Sequence, residues 1–195
     1  MLDFRGAEAR APLVLRWPAG HHVVVSGLPG SGKSTLMRRP VVVAGPPVAR
    51  IDSQETRDLW AARLPAWLPY ACYRPAVRLA HYARLWRALR SGASVMVHDC
   101  GRTAWVRRWL GREARRSGRA FHLLVLDVPP PAALSGQSAR GRWVSRRAFA
   151  GHRRAVARLL AEIEAGRLPP GCASVALLDR TAAGAVRHFG FTRPG

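Results

Sequence analysis

Short apolar runs that end in glycine or aspartate recur along the chain. Val23–Val25 leads into a glycine-rich segment, and four further runs end at an acid: Val48–Ile51 before Asp52, Val95–His98 before Asp99, Phe121–Leu126 before Asp127, and Ala173–Leu178 before Asp179. Apolar runs of this length, bounded by turn residues, are typical of buried strands. Because the carboxyl ends of parallel strands meet at one edge of a sheet, these acids are expected to converge there.

Amphipathic helical patterns lie between the predicted strands. One places Trp105, Val106, Trp109, Leu110 and Ala114 on an apolar face and Arg107, Arg108, Arg112, Arg115 and Arg116 on the other face. A second buries Phe149, Val156, Leu159, Leu160 and Ile163. Strands that alternate with helices predict an α/β fold of three layers with a five-stranded parallel sheet, in a single domain over residues 1–195.

Composition narrows the class of protein. The 195 residues include 32 Lys and Arg against 11 Asp and Glu, a net charge of +21, and 48% are hydrophobic. Such a chain is expected to fold, and its charge suits a partner that carries phosphates. Without a long apolar run or a secretory leader, it is expected to be soluble and cytoplasmic, with no membrane partner. Cys72, Cys100 and Cys172 lack metal-site spacing and are predicted to be small buried side chains.

The basic residues are unevenly placed. Residues 101–160 hold 14 basic and 2 acidic residues, more than half of the net charge. Only one of the 32 basic residues is a lysine, Lys33, and it stands in the glycine-rich segment. A slim ammonium suits a tight phosphate cage better than a planar guanidinium does, which favours a phosphate-binding role for Lys33.

The glycine-rich segment after the first predicted strand matches G-x-x-x-x-G-K-[ST], the phosphate-binding P-loop. Its residues are Gly27, Leu28, Pro29, Gly30, Ser31, Gly32, Lys33, Ser34 and Thr35. Glycines let successive N–H groups point at the β-phosphate, Lys33 is placed for the β- and γ-phosphates, and Ser34 is a natural Mg²⁺ ligand. The sequence therefore predicts a site for a nucleoside triphosphate and Mg²⁺.

Several branches of the P-loop class are disfavoured. A GTPase needs a second lysine for its guanine-binding element, and the chain has none. Leu134-Ser135-Gly136-Gln137 is similar to a transporter ATPase signature but lacks one glycine, and we interpret it as coincidental. A ring or motor ATPase needs more chain than remains after five strands and their helices.

On the P-loop and the strand-ending acids, the sequence resembles small P-loop kinases of the polynucleotide 5′-kinase and zeta-toxin-like group, AAA-type small ATP-binding proteins. The resemblance covers about Val23 to Asp179 and implies transfer of the ATP γ-phosphate to a hydroxyl, with Lys33 acting in catalysis. It implies a base after the second strand, where Asp52 is preferred and Glu55 is the alternative. The usual D-x-x-R spacing is not kept, because Arg57 stands five positions after Asp52. Asp99 is preferred over Asp127 as the catalytic acid that holds Mg²⁺ with Ser34.

The resemblance also implies an Arg-rich helical lid at approximately 131–150, with Arg140 and Arg142 closing over the triphosphate. Asp179 and Arg180 stand where the adenine is contacted in such folds. An acceptor site is expected near Trp60, Trp67, Tyr70, Tyr73 and Arg74, for a small-molecule, phosphorylated or polynucleotide acceptor. The alternative is a regulatory or nucleic-acid-binding ATPase with no acceptor; residues alone do not separate the two.

Overall fold

The computed structural model describes residues 1–6, 12–43, 47–99, 104–139 and 144–192. The strands in these ranges are β1 (Leu2–Asp3), β2 (Leu13–Pro18), β3 (His22–Gly27), β4 (Val41–Val43), β5 (Val48–Ile51), β6 (Ser94–His98), β7 (Phe121–Leu126), β8 (Cys172–Leu178) and β9 (Val186–Thr192). The helices are α1 (Lys33–Met37), α2 (Ser53–Ala61), α3 (Tyr70–Arg90), α4 (Ala104–Arg116), α5 (Pro130–Ser138), α6 (Arg146–Glu164) and α7 (Arg180–Ala185).

The larger sheet is parallel and has six strands, in the order β1-β8-β7-β3-β6-β5. The five predicted strands correspond to β3, β5, β6, β7 and β8, and all five lie in it. The prediction of a five-stranded sheet is wrong by one strand, because Leu2 and Asp3 pair with Ala176 and Leu177 at its edge. A strand of two residues is too short to show an alternation of apolar and polar positions, so the sequence pattern does not predict it and only its pairing with β8 defines it.

A second, three-stranded parallel sheet was not predicted. Its order is β2-β9-β4, and it joins segments from near both ends of the described chain. Trp17 on β2 packs against Phe189 and Phe191 on β9, with 5.9 Å between ring centroids in each pair. Since β2 and β4 each pair with β9, a segment distant from both in sequence, local pattern does not identify this sheet.

Apolar side chains cover both faces of the larger sheet, as the continuous runs in its strands require. Val23 and Val25 join a core with the small sheet and Phe189. Val24 points to the opposite face, where it belongs to a core with Leu85 of α3 and Leu110 of α4. The central sheet is thus buried between two layers, and its carboxyl edge carries the P-loop, Asp52 and Asp99.

The helices confirm the main apolar stripes and correct two side-chain predictions. Arg107 on α4 is buried, contrary to its predicted place on a solvent face, because it pairs with Asp99. Cys72 is exposed in the first turn of α3 rather than buried. None of the described helices is long and apolar enough to cross a membrane.

Candidate active site

The P-loop connects β3 directly to α1 and depends on glycine at close approaches. Gly27 has φ 146°, and a Cβ there would lie 2.7 Å from the Leu126 carbonyl oxygen. Gly30 has φ 85°, and a Cβ there would collide with the Ala133 carbonyl of α5. A side chain at either position would therefore both strain the backbone and displace a neighbouring strand or helix.

Lys33 turns back into the loop at the start of α1. Its side chain is buried, and Nζ donates hydrogen bonds to the carbonyl oxygens of Gly27 (2.9 Å) and Leu28 (2.6 Å). Ser31 is also buried, and its Oγ has no hydrogen-bond partner among the described residues. An ammonium and an orphaned hydroxyl enclosed by a glycine loop fit the phosphates of a nucleotide, whose oxygens would accept a hydrogen bond from the Ser31 hydroxyl.

Helix α5 packs directly on the P-loop. A Cβ at Gly136 would overlap the Gly30 carbonyl oxygen, so the two backbones touch. Gln137 is buried beside them; its Nε2 donates to the Pro29 carbonyl (3.3 Å) and its Oε1 accepts from the Val144 amide (3.1 Å). The segment that resembles a transporter signature thus holds the loop through a small residue and a buried amide, a role the sequence analysis missed.

Asp52 lies at the end of β5 and caps α2 through a hydrogen bond from the Gln54 amide (2.9 Å). Its carboxylate is also 3.3 Å from His98 Nδ1, and His98 lies 3.2 Å from the Ser53 hydroxyl. Burial raises the pKa of Asp52, but His98, the Gln54 amide and the nearby Ser34 hydroxyl together outweigh burial and hold this pKa well below its usual value. Asp52 is therefore a carboxylate at neutral pH, beside the proposed Mg²⁺ ligand Ser34.

The alternative base, Glu55, has a different environment. It is one helical turn further along α2, where its carboxylate faces Arg84 at 3.5 Å and lines a cavity with Val41 and Val48. By contrast, the His98 and Ser34 side chains form hydrogen bonds with the Asp52 carboxylate. The geometry favours Asp52 over Glu55 as the acid near the P-loop.

Asp99 and Asp127, the two candidates for the metal-side acid, lie on opposite sides of β3. Asp99 follows β6, its amide donates to the Val25 carbonyl (2.9 Å), and its buried carboxylate accepts from Arg107 (2.9 Å). Asp127 follows β7 and is bound by Arg5 at 2.8 Å. Arg5 also contacts Asp3 and Glu164, so Asp127 belongs to an ionic cluster at the β1 edge.

One cavity is lined by the P-loop, and a second lies at the carboxyl end of β6, where His98 and Asp99 line it. The first, of about 310 Å³, is lined by loop residues Gly30, Ser31 and Gly32, by α5, and by Arg180 of α7. Arg180 also donates to the Ala132 carbonyl of α5 (3.1 Å). The residue predicted to lie near the adenine therefore lines the same cavity as the loop glycines, while Asp179 caps α7 through the Ala182 amide (2.7 Å).

The second cavity, of about 450 Å³, is the arginine cavity. It is lined by basic residues Arg57, Arg74 and Arg78, by histidines His81, His98 and His152, by Tyr70 and Tyr82, and by Asp99. It opens between α2, α3 and α6 at the carboxyl end of β6. Of the predicted acceptor residues, Tyr70 and Arg74 line it, whereas Trp67 is 78% exposed and does not.

The lid stays a prediction. Arg140 and Arg142 lie outside the described residues, so their distance from the P-loop is not defined. Within approximately 131–150, the structure describes α5, packed on the loop, and the start of α6, which Ser145 caps through the Ala148 amide (3.3 Å).

A P-loop at the carboxyl edge of a parallel sheet, with the buried acids Asp52 and Asp99 after β5 and β6, defines a P-loop fold. Residues 23–165 match the family model AAA_33, described as an AAA domain, and the chain belongs to this family. No curated protein sequence matches the chain significantly.

The chain is similar to several solved structures at low sequence identity. A chain of the PezAT chromosomal toxin–antitoxin system of Streptococcus pneumoniae is 12% identical with a TM-score of 0.57, and the match covers 92% of this chain and 73% of that one. A candidate kinase from Chloroflexus aurantiacus is 16% identical with a TM-score of 0.50, covering 83% and 85%. APS kinase of Mycobacterium tuberculosis, solved with AMPPNP and APS, is 18% identical with a TM-score of 0.43, covering 87% and 95%.

Proposed function

We propose that the protein is an ATP-dependent kinase that transfers the γ-phosphoryl group to a hydroxyl of a small acceptor bound in the arginine cavity. The observation that carries the proposal is the position of Asp52, which interacts with Ser34 of the P-loop on one side and with His98, a wall of the arginine cavity, on the other. A carboxylate between a phosphate loop and a separate cavity is placed to hold an acceptor hydroxyl toward the γ-phosphate.

In the proposed reaction, the acceptor hydroxyl oxygen forms a bond to the γ-phosphorus while the bond from that phosphorus to the bridging oxygen breaks, releasing ADP. The hydroxyl proton passes to Asp52. A carboxylate with a low pKa suffices, because phosphoryl transfer has a loose transition state in which the proton leaves late. Asp52 therefore orients the hydroxyl more than it activates it.

The P-loop residues bind and orient ATP. Lys33 is proposed to exchange its contacts with the Gly27 and Leu28 carbonyls for contacts with the β- and γ-phosphates. Ser34 and Asp99 are the residues proposed to hold Mg²⁺, with Asp52 close to Ser34. When bound, Mg²⁺ neutralises charge on the β- and γ-phosphate oxygens. Arg107 orients the Asp99 carboxylate by donating a hydrogen bond to it.

An acceptor screen with γ-labelled ATP and Mg²⁺ tests the proposal. The panel contains small alcohols, sugars and phosphorylated sugars, together with 5′-hydroxyl oligonucleotides. We expect label to enter a small-molecule product with wild-type protein and to be lost with Lys33→Ala. Recovery of all label as inorganic phosphate, with salt-sensitive polynucleotide binding, would instead support the nucleic-acid-binding ATPase. Transfer to an oligonucleotide would retain the kinase but contradict a small acceptor.

A further inference from the structure

The arginine cavity contains more positive charge than an uncharged acceptor needs. Arg57, Arg74 and Arg78 all line it, and among the described residues none of their guanidinium groups forms an ion pair or hydrogen bond to a carboxylate. By contrast, Arg5, Arg84, Arg107 and Arg116 all have acidic partners. Asp99 lines the same cavity but is paired with Arg107. Guanidinium groups that line a cavity and are not paired with a carboxylate are typical of anion recognition.

The three arginines are exposed residues that line the cavity from two helices. Arg74 and Arg78 are four residues apart on α3 and so lie on one face of the helix, which His81 continues three residues later. Arg57 comes from α2, where its guanidinium carbon lies 4.2 Å from the centre of the Tyr70 ring. A guanidinium held over a ring face still has N–H groups at its edge that are available for a bidentate contact.

His81 supplies a second, independent sign of a ligand. It lines the same cavity, is 8% exposed, and its Nδ1 atom is buried with no hydrogen-bond partner among the described residues. Buried polar atoms are rarely left unpaired in folded proteins, and exceptions often mark the place of a ligand or water. His81 is therefore suited to a polar group of a molecule held by Arg74 and Arg78.

The aromatic residues of the cavity are already engaged, which disfavours base stacking. Tyr70 contacts Arg57 and meets Tyr73 edge-on at 5.2 Å. Tyr82 packs against His81 at 5.4 Å and against Trp105 at 5.2 Å. A cavity of about 450 Å³ also matches a small molecule rather than an extended strand.

We infer that the acceptor is a small phosphomonoester that also carries a free hydroxyl, with its phosphate held by Arg57, Arg74 and Arg78. This inference rests on the proposed function. Arg57 lies five residues after Asp52, about 7.5 Å further along the axis of α2. An acceptor longer than this axial separation can place its phosphate on the arginines and its hydroxyl at Asp52. A phosphomonoester is largely a dianion at neutral pH, which suits three guanidinium groups better than a carboxylate does.

Binding tests the inference without requiring transfer. Protein saturated with Mg²⁺ and a non-hydrolysable ATP analogue is titrated calorimetrically with glycerol 3-phosphate, ribose 5-phosphate, glucose 6-phosphate and uridine 5′-monophosphate. Each unphosphorylated parent, gluconate and a 5′-hydroxyl oligonucleotide are titrated in parallel. We expect at least one phosphomonoester to bind tenfold or more tightly than its parent. Equal binding by the parents, or preference for gluconate or the oligonucleotide, would overturn the inference.

Variants then locate the phosphate. Arg74→Gln and Arg78→Gln are each expected to weaken phosphomonoester binding about tenfold, as loss of a charge-assisted hydrogen bond predicts. Arg87→Gln is the matched control: it lies nine residues from Arg78, on the opposite face of α3, and does not line the cavity. An equal loss with Arg87→Gln would show that only the overall charge matters and would refute the site.

His81→Phe separates ligand binding from folding. It removes the unpartnered Nδ1 and is expected to weaken phosphomonoester binding several-fold while leaving the urea midpoint unchanged or raised. Unchanged binding with a lowered midpoint would contradict the role of His81. Phosphomonoester binding without phosphoryl transfer would support the phosphate site and refute the kinase proposal. Transfer to an uncharged acceptor would support the kinase proposal and refute the phosphate site.

Discussion

Replacing Gly136 with alanine tests whether α5 positions the P-loop. A Cβ at this position would overlap the Gly30 carbonyl oxygen, which belongs to the loop backbone and cannot rotate away as a side chain can. Gly136 lies inside α5, where alanine by itself favours the helix by about 1 kcal/mol relative to glycine. Any loss in the variant therefore comes from the contact with the loop.

The expected magnitude follows from overpacking. Forcing a methyl group into a closed contact costs about 1–3 kcal/mol. If the loop deforms, nucleotide affinity falls; if α5 moves away, the free energy of unfolding falls and the Gln137 bond to Pro29 lengthens. A loss of 1.4 kcal/mol borne by the loop would weaken ATP binding about tenfold. We expect weaker binding to dominate, because the Gly30 carbonyl that the methyl group would displace belongs to the loop that is predicted to bind the phosphates.

Titration with a fluorescent ATP analogue measures the affinity, and urea unfolding measures the stability of the same preparation. Ser138→Ala is the matched control, since Ser138 is exposed on α5 and bonds only within the helix. If Gly136→Ala keeps both affinity and stability within about 0.5 kcal/mol of wild type, the contact between α5 and the P-loop does not constrain the site and the reasoning is refuted.

Three further predictions address the acids and the buried histidines. Asp52→Asn is expected to lower kcat about 10²–10⁴-fold with ATP affinity nearly unchanged, measured by steady-state kinetics and nucleotide titration; a matching loss of affinity would contradict a role in transfer. Arg107→Leu leaves Asp99 without its buried cation and is expected to lower the free energy of unfolding in urea by about 3–5 kcal/mol. Arg116→Leu, whose ion pair is exposed, is expected to lower it by under about 1 kcal/mol. Equal losses would show that the buried ion pair does not stabilise the fold more than the exposed one. Burial, with repulsion from nearby basic groups, lowers the pKa of His22 to about 4. Since the unfolded chain takes up this proton below about pH 6.5 and the folded chain does not until about pH 4, wild-type stability falls as the pH drops through that window, by about 2 kcal/mol at pH 5 from His22 alone. His22→Leu is expected to remove this contribution, so that the free energy of unfolding depends less on pH. An equal difference in unfolding free energy between pH 7.5 and pH 5 in wild type and variant would contradict the prediction.

The sequence predicts the parts of this protein that depend on local pattern. Five strands of the larger sheet are apolar runs, and the P-loop is a contiguous motif whose glycines are required by the backbone at Gly27 and Gly30. Asp52 and Asp99 were found because parallel strands place their carboxyl ends along one edge. In each case the information lies within a few consecutive residues.

The features that the sequence could not predict depend on contacts between segments that are far apart along the chain. The small sheet exists because β2 and β9 meet across most of the chain, and β1 exists only against β8. Arg107 has the helical position of a solvent-facing residue but is buried by its ion pair with Asp99. The helical periodicity of Arg74, Arg78 and His81 was detectable, yet only the packing of α3 beside α2 shows that they share a cavity.

We propose that the γ-phosphoryl group of ATP is transferred to a hydroxyl of a phosphorylated acceptor, and that Asp52 holds this hydroxyl. The most direct test follows the label of γ-labelled ATP, by chromatography of the products formed with the phosphomonoester that binds best in the arginine cavity. We expect label in a bisphosphorylated product with wild-type protein, and little with Asp52→Asn. Label found only in inorganic phosphate, at a rate that the bound phosphomonoester does not change, would contradict this proposal.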